Sequence, residues 1–89
     1  NILTGTIPTA IYQLPRLTHL ELANNLFFGT ISPLIQQMQS LEYVDVNQNQ
    51  FSGSVTDVFT HLDAIWSLVL SDNLFTGTIQ PPIAMEILD

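Results

Sequence analysis

Apolar residues recur along this chain with a spacing that changes inside each unit and then starts again. The runs LTHLELANN (17–25), LEYVDVNQN (41–49) and IWSLVLSDN (65–73) alternate apolar with polar positions, the period-two signature of a short strand with one buried face. Their inward columns are Leu17, Leu41 and Ile65, then Leu20, Val44 and Leu68, then Leu22, Val46 and Leu70. Between the strands, further columns hold Leu3, Phe27, Phe51 and Phe75; Ile7, Ile31, Val55 and Ile79; Ile11, Ile35, Phe59 and Ile83; and Leu14, Met38 and Leu62. Every column steps by 24 residues, so one structural unit is stacked on itself.

Strands repeated at a fixed period lie side by side and parallel, about 4.8 Å apart. Gly5, Gly29, Gly53 and Gly77 share a column, which suits a bend where a side chain would clash. Pro8, Pro33 and Pro81 favour return segments that are irregular or 3₁₀ over full helices. Asn1, Asn25, Asn49 and Asn73 open the nearly identical phrases NILTGTI, NLFFGTI, NQFSGSV and NLFTGTI. An amide buried at a turn offers a donor and an acceptor to backbone groups otherwise unpaired, so these asparagines are read as structural, with no ligand role. The coils run 1–24, 25–48, 49–72 and a partial 73–89.

Composition narrows the function. The chain has 89 residues and is 46% hydrophobic, which argues for a folded segment, and its longest nearly unbroken apolar run, AIWSLVL, is far too short to span a bilayer. Its formal charge is −7 with Arg16 the one Lys or Arg, so no cationic surface is available for phosphates or anionic lipid, and neither nucleic acid nor direct membrane contact is expected. Without cysteine there is no disulfide and no thiolate metal site. The sequence starts at Asn1 in mid-coil and carries no signal-like segment, so it reads as part of a longer array. The first coil, with no neighbour on one side, is expected to leave Leu3, Ile7 and Ile11 exposed, and the isolated segment to be marginal or self-associating.

The run L-x-x-L-x-L-x-x-N resembles the leucine-rich repeat family, whose repeat of about 20 to 29 residues brackets this one. The continuation x-F-x-G-x-I-P is similar to the plant-type subclass: NILTGTIP keeps the proline but has Leu3 for the phenylalanine, and later copies put Ser32, Thr56 and Gln80 in place of the proline. The resemblance covers nearly the whole chain. It implies an α/β-type solenoid, a right-handed superhelix with a parallel sheet on its concave face, a second short sheet near the glycines, and mostly irregular or 3₁₀ return segments. It also implies a non-catalytic protein or peptide recognition module. Such modules occur in receptor-like ectodomains, outside the cell or at its surface, and in secreted inhibitors of cell-wall-degrading enzymes.

The last unit departs from the pattern, because Glu86 and Asp89 fall where Leu14 and Leu17 stand in the first. A one-residue gap before Met85 would bring Met85 and Leu88 into those columns, and on this reading the chain stops before a fourth strand.

Recognition is expected at the outward strand positions, where the copies differ. Thr18, Glu42 and Trp66 form one stripe; His19, Tyr43 and Ser67 the next; Glu21, Asp45 and Val69 the third; Ala23, Asn47 and Ser71 the last. The first three stripes are the candidate partner-binding residues. Tyr43 and Trp66 are of types enriched at interface centres, although a lone Trp at a strand edge can also serve only to cover its neighbours. Glu21, Glu42 and Asp45 make the surface acidic, and a partner with a basic patch is the complement. A cation between Glu21 and Asp45 is the weaker reading, since calcium wants about six to eight oxygen ligands. No metal or other cofactor is assigned.

Catalysis is not expected. His19, Asp45 and Ser67 look like a triad, yet His19 and Ser67 lie two strands apart, roughly 10 Å. His61 belongs to the return path, on another face from His19, and the glycines stand singly, without the partners of a phosphate loop. A further alternative comes from the hydroxyl columns of Thr4, Ser52 and Thr76, and of Thr6, Thr30, Ser54 and Thr78: hydroxyls at regular spacing could order water on an ice-binding face, although Phe28 interrupts the array.

Overall fold

The computed structural model describes residues 3–59, 62–77 and 86–88. Expectations resting on Asn1, His61, Thr78, Ile79, Gln80, Pro81, Ile83, Met85 and Asp89 lie outside the described residues. The described strands are β1 (Thr4–Gly5), β2 (His19–Glu21), β3 (Leu26–Thr30), β4 (Tyr43–Asp45), β5 (Gln50–Ser54), β6 (Ser67–Val69), β7 (Leu74–Thr76) and β8 (Glu86–Leu88). They form two parallel sheets, ordered β2-β4-β6-β8 and β1-β3-β5-β7.

In the first sheet the register follows the repeat: Leu20 pairs with Val44 and Val44 with Leu68. Each of β2, β4 and β6 has three residues, because one inward apolar position flanked by two others is all the pattern supplies before the turn. The backbone ladder nevertheless continues past the strands, with Leu22 N–H donating to Asp45 O at 2.8 Å and Asn24 N–H to Asn47 O at 2.9 Å. The turn that follows is made by a left-handed residue, Asn24, Gln48 or Asp72, with φ of 61°, 58° and 58°.

The second sheet runs in a different register. Gly29 pairs with Phe51 and Gly53 with Phe75, a step of 22 residues, two fewer than the repeat. An even offset keeps the same face inward, since strand side chains alternate with a period of two. Phe27, Phe51 and Phe75 accordingly stack through the core, ring centroids 6.0 and 6.2 Å apart and planes 11° and 14° from parallel. The core lies between the two sheets and the return segments, and Ile35, Met38, Leu41, Val44, Val46, Phe51 and Leu68 are wholly buried in it.

The glycine column has a conformational cause besides the clash its spacing suggests. A Cβ on Gly5 would meet nothing within 4 Å, yet the residue has φ +104°, a conformation that L side chains rarely adopt. Its role there is conformational. At Gly53 both causes operate, since φ is +98° and a Cβ would come within 3.1 Å of Thr30 Cγ2.

Two expectations need correction, and one, return segments that are mostly 3₁₀, holds with an exception. First, Thr9–Gln13 and Pro33–Gln37 are 3₁₀ turns as expected, while the third return segment is a short α-helix, α1 (Val55–Phe59). That coil carries Thr56-Asp57 where the others carry Pro8-Thr9 and Ser32-Pro33, so it keeps every backbone N–H of the turn. Second, the chain does not stop before a fourth strand: β8 pairs with β6, Ile87 beside Leu68, after 19 residues where the repeat has 24. The final coil is shorter by five residues, and Ile87 takes the place that the one-residue gap did not give it. Third, Ile7 is only 6% exposed, because it packs into the same cluster as Phe27 and Ile31, whereas Leu3 is 53% exposed as expected.

Candidate functional site

The outward residues of the first sheet are set by its pleat: with Leu20, Val44 and Leu68 turned in, the residues on either side of each turn out. Thr18, His19 and Glu21 are exposed, and Glu42, Tyr43, Asp45 and Val69 are half-buried. Thr18 Oγ1 lies 3.0 Å from His19 Nδ1. Glu21, Asp45 and Val69 are register partners in three adjacent strands.

The aromatic side chains form a row that the column pattern does not contain. The Tyr43 ring lies 5.6 Å from His19, tilted by 44°, and 5.6 Å from Trp66, tilted by 31°. His19 and Tyr43 are direct register partners, but Trp66 precedes Ser67, the partner of Tyr43, so the row runs diagonally into the third coil. Trp66 remains 45% exposed. Large planar side chains on neighbouring strands reach the next diagonal position, which a column-by-column reading separates into two stripes.

A polar network fixes the middle of this row. Tyr43 O–H donates to Asp45 Oδ2 at 3.2 Å, and Asp45 Oδ1 accepts Asn47 N–H at 3.1 Å. Ser71 Oγ donates in turn to Asn47 Oδ1 at 2.9 Å, joining two coils. Partial burial, the negative charge of Asp45 and its hydrogen bond, and then Glu21, together push the Tyr43 phenol above the ordinary tyrosine range. Asn47 and Ser71 were visible in the sequence as the last outward stripe, but nothing there marked them as hydrogen-bonded to each other.

Ser67 is placed differently from its expectation. It is 3% exposed, although it shares a column with His19 and Tyr43. Its two-atom side chain sits on a strand paired on both sides, by β4 and by β8, and cannot rise above larger neighbours. Ser67 is therefore withdrawn from the candidate surface. The strand of Tyr43 also lies between those of His19 and Ser67.

Among the described residues, no three His, Asp or Glu side chains converge as a metal site would require, and no helix is long and apolar enough to cross a membrane. On the outer sheet, Thr4 and Thr76 hydroxyls donate to Leu26 O and Gly53 O at 3.3 Å, and Ser52 to Gly29 O at 3.5 Å. A cavity of about 180 Å³ lies between β3, β5 and α1, walled mainly by Ile31, Pro33, Val55, Val58 and Phe75.

These features define a parallel two-sheet repeat solenoid with varied side chains on one sheet. The leucine rich repeat family model matches residues 15–75, and the chain belongs to the leucine-rich repeat family, with the plant-type repeat. The LRR ectodomain of the receptor kinase SOBIR1 from Arabidopsis thaliana is similar to it, with a TM-score of 0.75 and 35% identity, over 81% of this chain and 39% of that one. The Arabidopsis receptor kinase HAESA, solved in complex with the peptide hormone IDA and the co-receptor SERK1, has a TM-score of 0.78 and 36% identity, over 84% of this chain and 13% of that one. This chain thus spans less than half the length of either. No curated protein matches it closely enough in sequence to count as a relative.

Proposed function

We propose that the chain is a non-catalytic recognition segment, part of an extracellular or cell-surface receptor-like protein, that binds a protein or peptide through the concave β2-β4-β6-β8 sheet. The observation that carries this reading is the His19–Tyr43–Trp66 row, in which Tyr43 and Trp66, of types enriched at binding centres, pack with His19 across three coils. Rigid strands hold them, which favours binding because little side-chain freedom remains to be lost. Kinship with receptor-kinase ectodomains, one solved with a peptide hormone, supports a peptide or protein ligand over a small metabolite. The ice-binding alternative is less well supported, because the Thr4, Ser52 and Thr76 hydroxyls are already engaged with backbone carbonyls.

The test is selection of displayed random peptides on the 89-residue chain. Selected peptides are expected to lose binding to the Tyr43→Ala and Trp66→Ala variants while both keep the β-sheet circular dichroism of the parent. Peptides that bind both variants as well as the parent would place recognition elsewhere.

A further inference from the structure

Resting on the concave-face reading, we propose that the aromatic row and the carboxylates beside it form a docking site for an arginine side chain of a cationic peptide. The row supplies the platform. Tyr43 is held on both flanks by rings at 5.6 Å and at its tip by the hydrogen bond to Asp45, and Trp66 keeps nearly half its surface open to solvent. A guanidinium is planar and weakly hydrated, so it stacks on such rings and gains from their negative faces.

The carboxylates supply direction. Glu21 and Asp45 stand two residues beyond His19 and Tyr43 on the same face, about 7 Å along the strand, within the span of a guanidinium seated over the rings. Glu42 flanks the row from the other side, immediately before Tyr43. Asp45 is a preset charge: each of its oxygens already accepts one hydrogen bond, from Tyr43 O–H and from Asn47 N–H, and each retains a lone pair for an incoming donor. The chain has a formal charge of −7 and offers Arg16 alone as Lys or Arg, so the complementary cation must come from the partner. Lysine fits less well, because a compact, strongly hydrated ammonium does not stack and cannot pair in two-pronged fashion with a carboxylate.

N-acetyl-argininamide provides the probe, and Trp66, the single tryptophan of the chain, provides the signal. Titration should change Trp66 emission with a dissociation constant of about millimolar order, as one side chain's worth of contact allows. N-acetyl-citrullinamide, the same shape without the charge, should bind about tenfold more weakly, with the lysine analogue between the two. Asp45→Asn and Tyr43→Leu should each weaken the arginine probe by about threefold to tenfold, and Tyr43→Phe, which keeps the ring, by less. Equal binding of the arginine and citrulline probes overturns the proposal, as does a Trp66 signal unmoved at tens of millimolar. If the titration fails while displayed peptides still need Tyr43 and Trp66, only the arginine assignment falls; if both fail, the concave-face reading falls with it.

Discussion

Asn49 Oδ1 accepts the backbone N–H of Phe27, one coil earlier, at 3.0 Å. The same side chain donates from Nδ2 to Leu22 O at 2.8 Å, one coil further back, and to Val46 O at 3.1 Å, three residues before it. Asn73 repeats the arrangement one coil on, accepting from Phe51 N–H and donating to Val46 O. The asparagine recurs at one fixed place because no other short side chain carries a donor and an acceptor in one planar group. Among the described residues, no buried side-chain nitrogen or oxygen is left without a partner.

Replacing Asn49 by Asp keeps its shape and its acceptor but removes both N–H donors. Leu22 O and Val46 O lose a partner, and a carboxylate is placed at a site only 8% exposed. Asn49→Asp should cost about 2–4 kcal/mol, more than a single lost hydrogen bond, because buried groups remain unsatisfied. The same change at Asn25, which is half-buried and serves the exposed Leu3 N–H, should cost about 1 kcal/mol. Urea unfolding of both variants compares them directly, and equal losses would contradict the linking role of Asn49.

The asparagine ladder, the inward columns and the parallel pairing were all legible in the sequence, since each depends on residue type at a fixed spacing. What escaped it depends on size and on neighbours. Ser67 and Tyr43 occupy one column, and alternation says which way each points, but only the length of the side chain says which reaches solvent. Trp66 and Tyr43 fall in different columns, and their contact depends on the breadth of the two rings. The β8 pairing escaped because its coil is shorter than the repeat, so extrapolating the period placed its strand beyond the chain end.

Gln48 is the residue of its column least suited to its backbone. It has φ 58° between Asn47 and the ladder residue Asn49, where the other coils use Asn24 and Asp72. Short Asn and Asp side chains tolerate the left-handed region better than a longer unbranched one, and branched residues tolerate it least. Gln48→Asn should stabilise the chain by about 0.5 kcal/mol and Gln48→Val should destabilise it by about 1–2 kcal/mol. Thermal unfolding midpoints moving in opposite directions would bear this out; a gain from valine would show that packing, not φ, governs the site.

Both tyrosines make stability depend on alkaline pH. Tyr12 is pushed upward from 10.0 by burial, partly offset by the hydrogen bond its oxygen accepts from Ser32 N–H at 3.1 Å. Tyr43 is raised by burial and by Asp45 and Glu21. A raised phenol binds its proton more tightly in the folded chain than in the unfolded one, so the contribution is complete below pH 10 and is lost as pH climbs through the folded values. The sequence contains no cysteine, and its one Lys or Arg is Arg16, so few other groups titrate there. The parent should lose stability as pH rises above about 10, and the Tyr12→Phe, Tyr43→Phe double variant should stay nearly level there. Parallel profiles in denaturant unfolding would remove the tyrosines as the cause.

The two faces of the outer sheet should respond oppositely to substitution, although their residues are adjacent in sequence. Phe51 is wholly buried between Phe27 and Phe75, whereas Phe28, one position along from Phe27, is 48% exposed. Truncating Phe51 to Ala opens a cavity that stacked rings in both neighbouring coils cannot easily close, at about 3–5 kcal/mol. A chain of this length has only about 5–13 kcal/mol in total, so the variant should be largely unfolded near physiological temperature. Phe51→Leu should be milder, because Leu3 already occupies that column in the first coil. Phe28→Thr takes the residue type of Thr4 and Thr76 in its own column and should alter stability by about 0.5 kcal/mol or less. Circular dichroism melts of the three variants suffice, and a Phe28→Thr loss matching that of Phe51→Leu would mean that the outer face is packed against something the isolated chain supplies, such as a second copy.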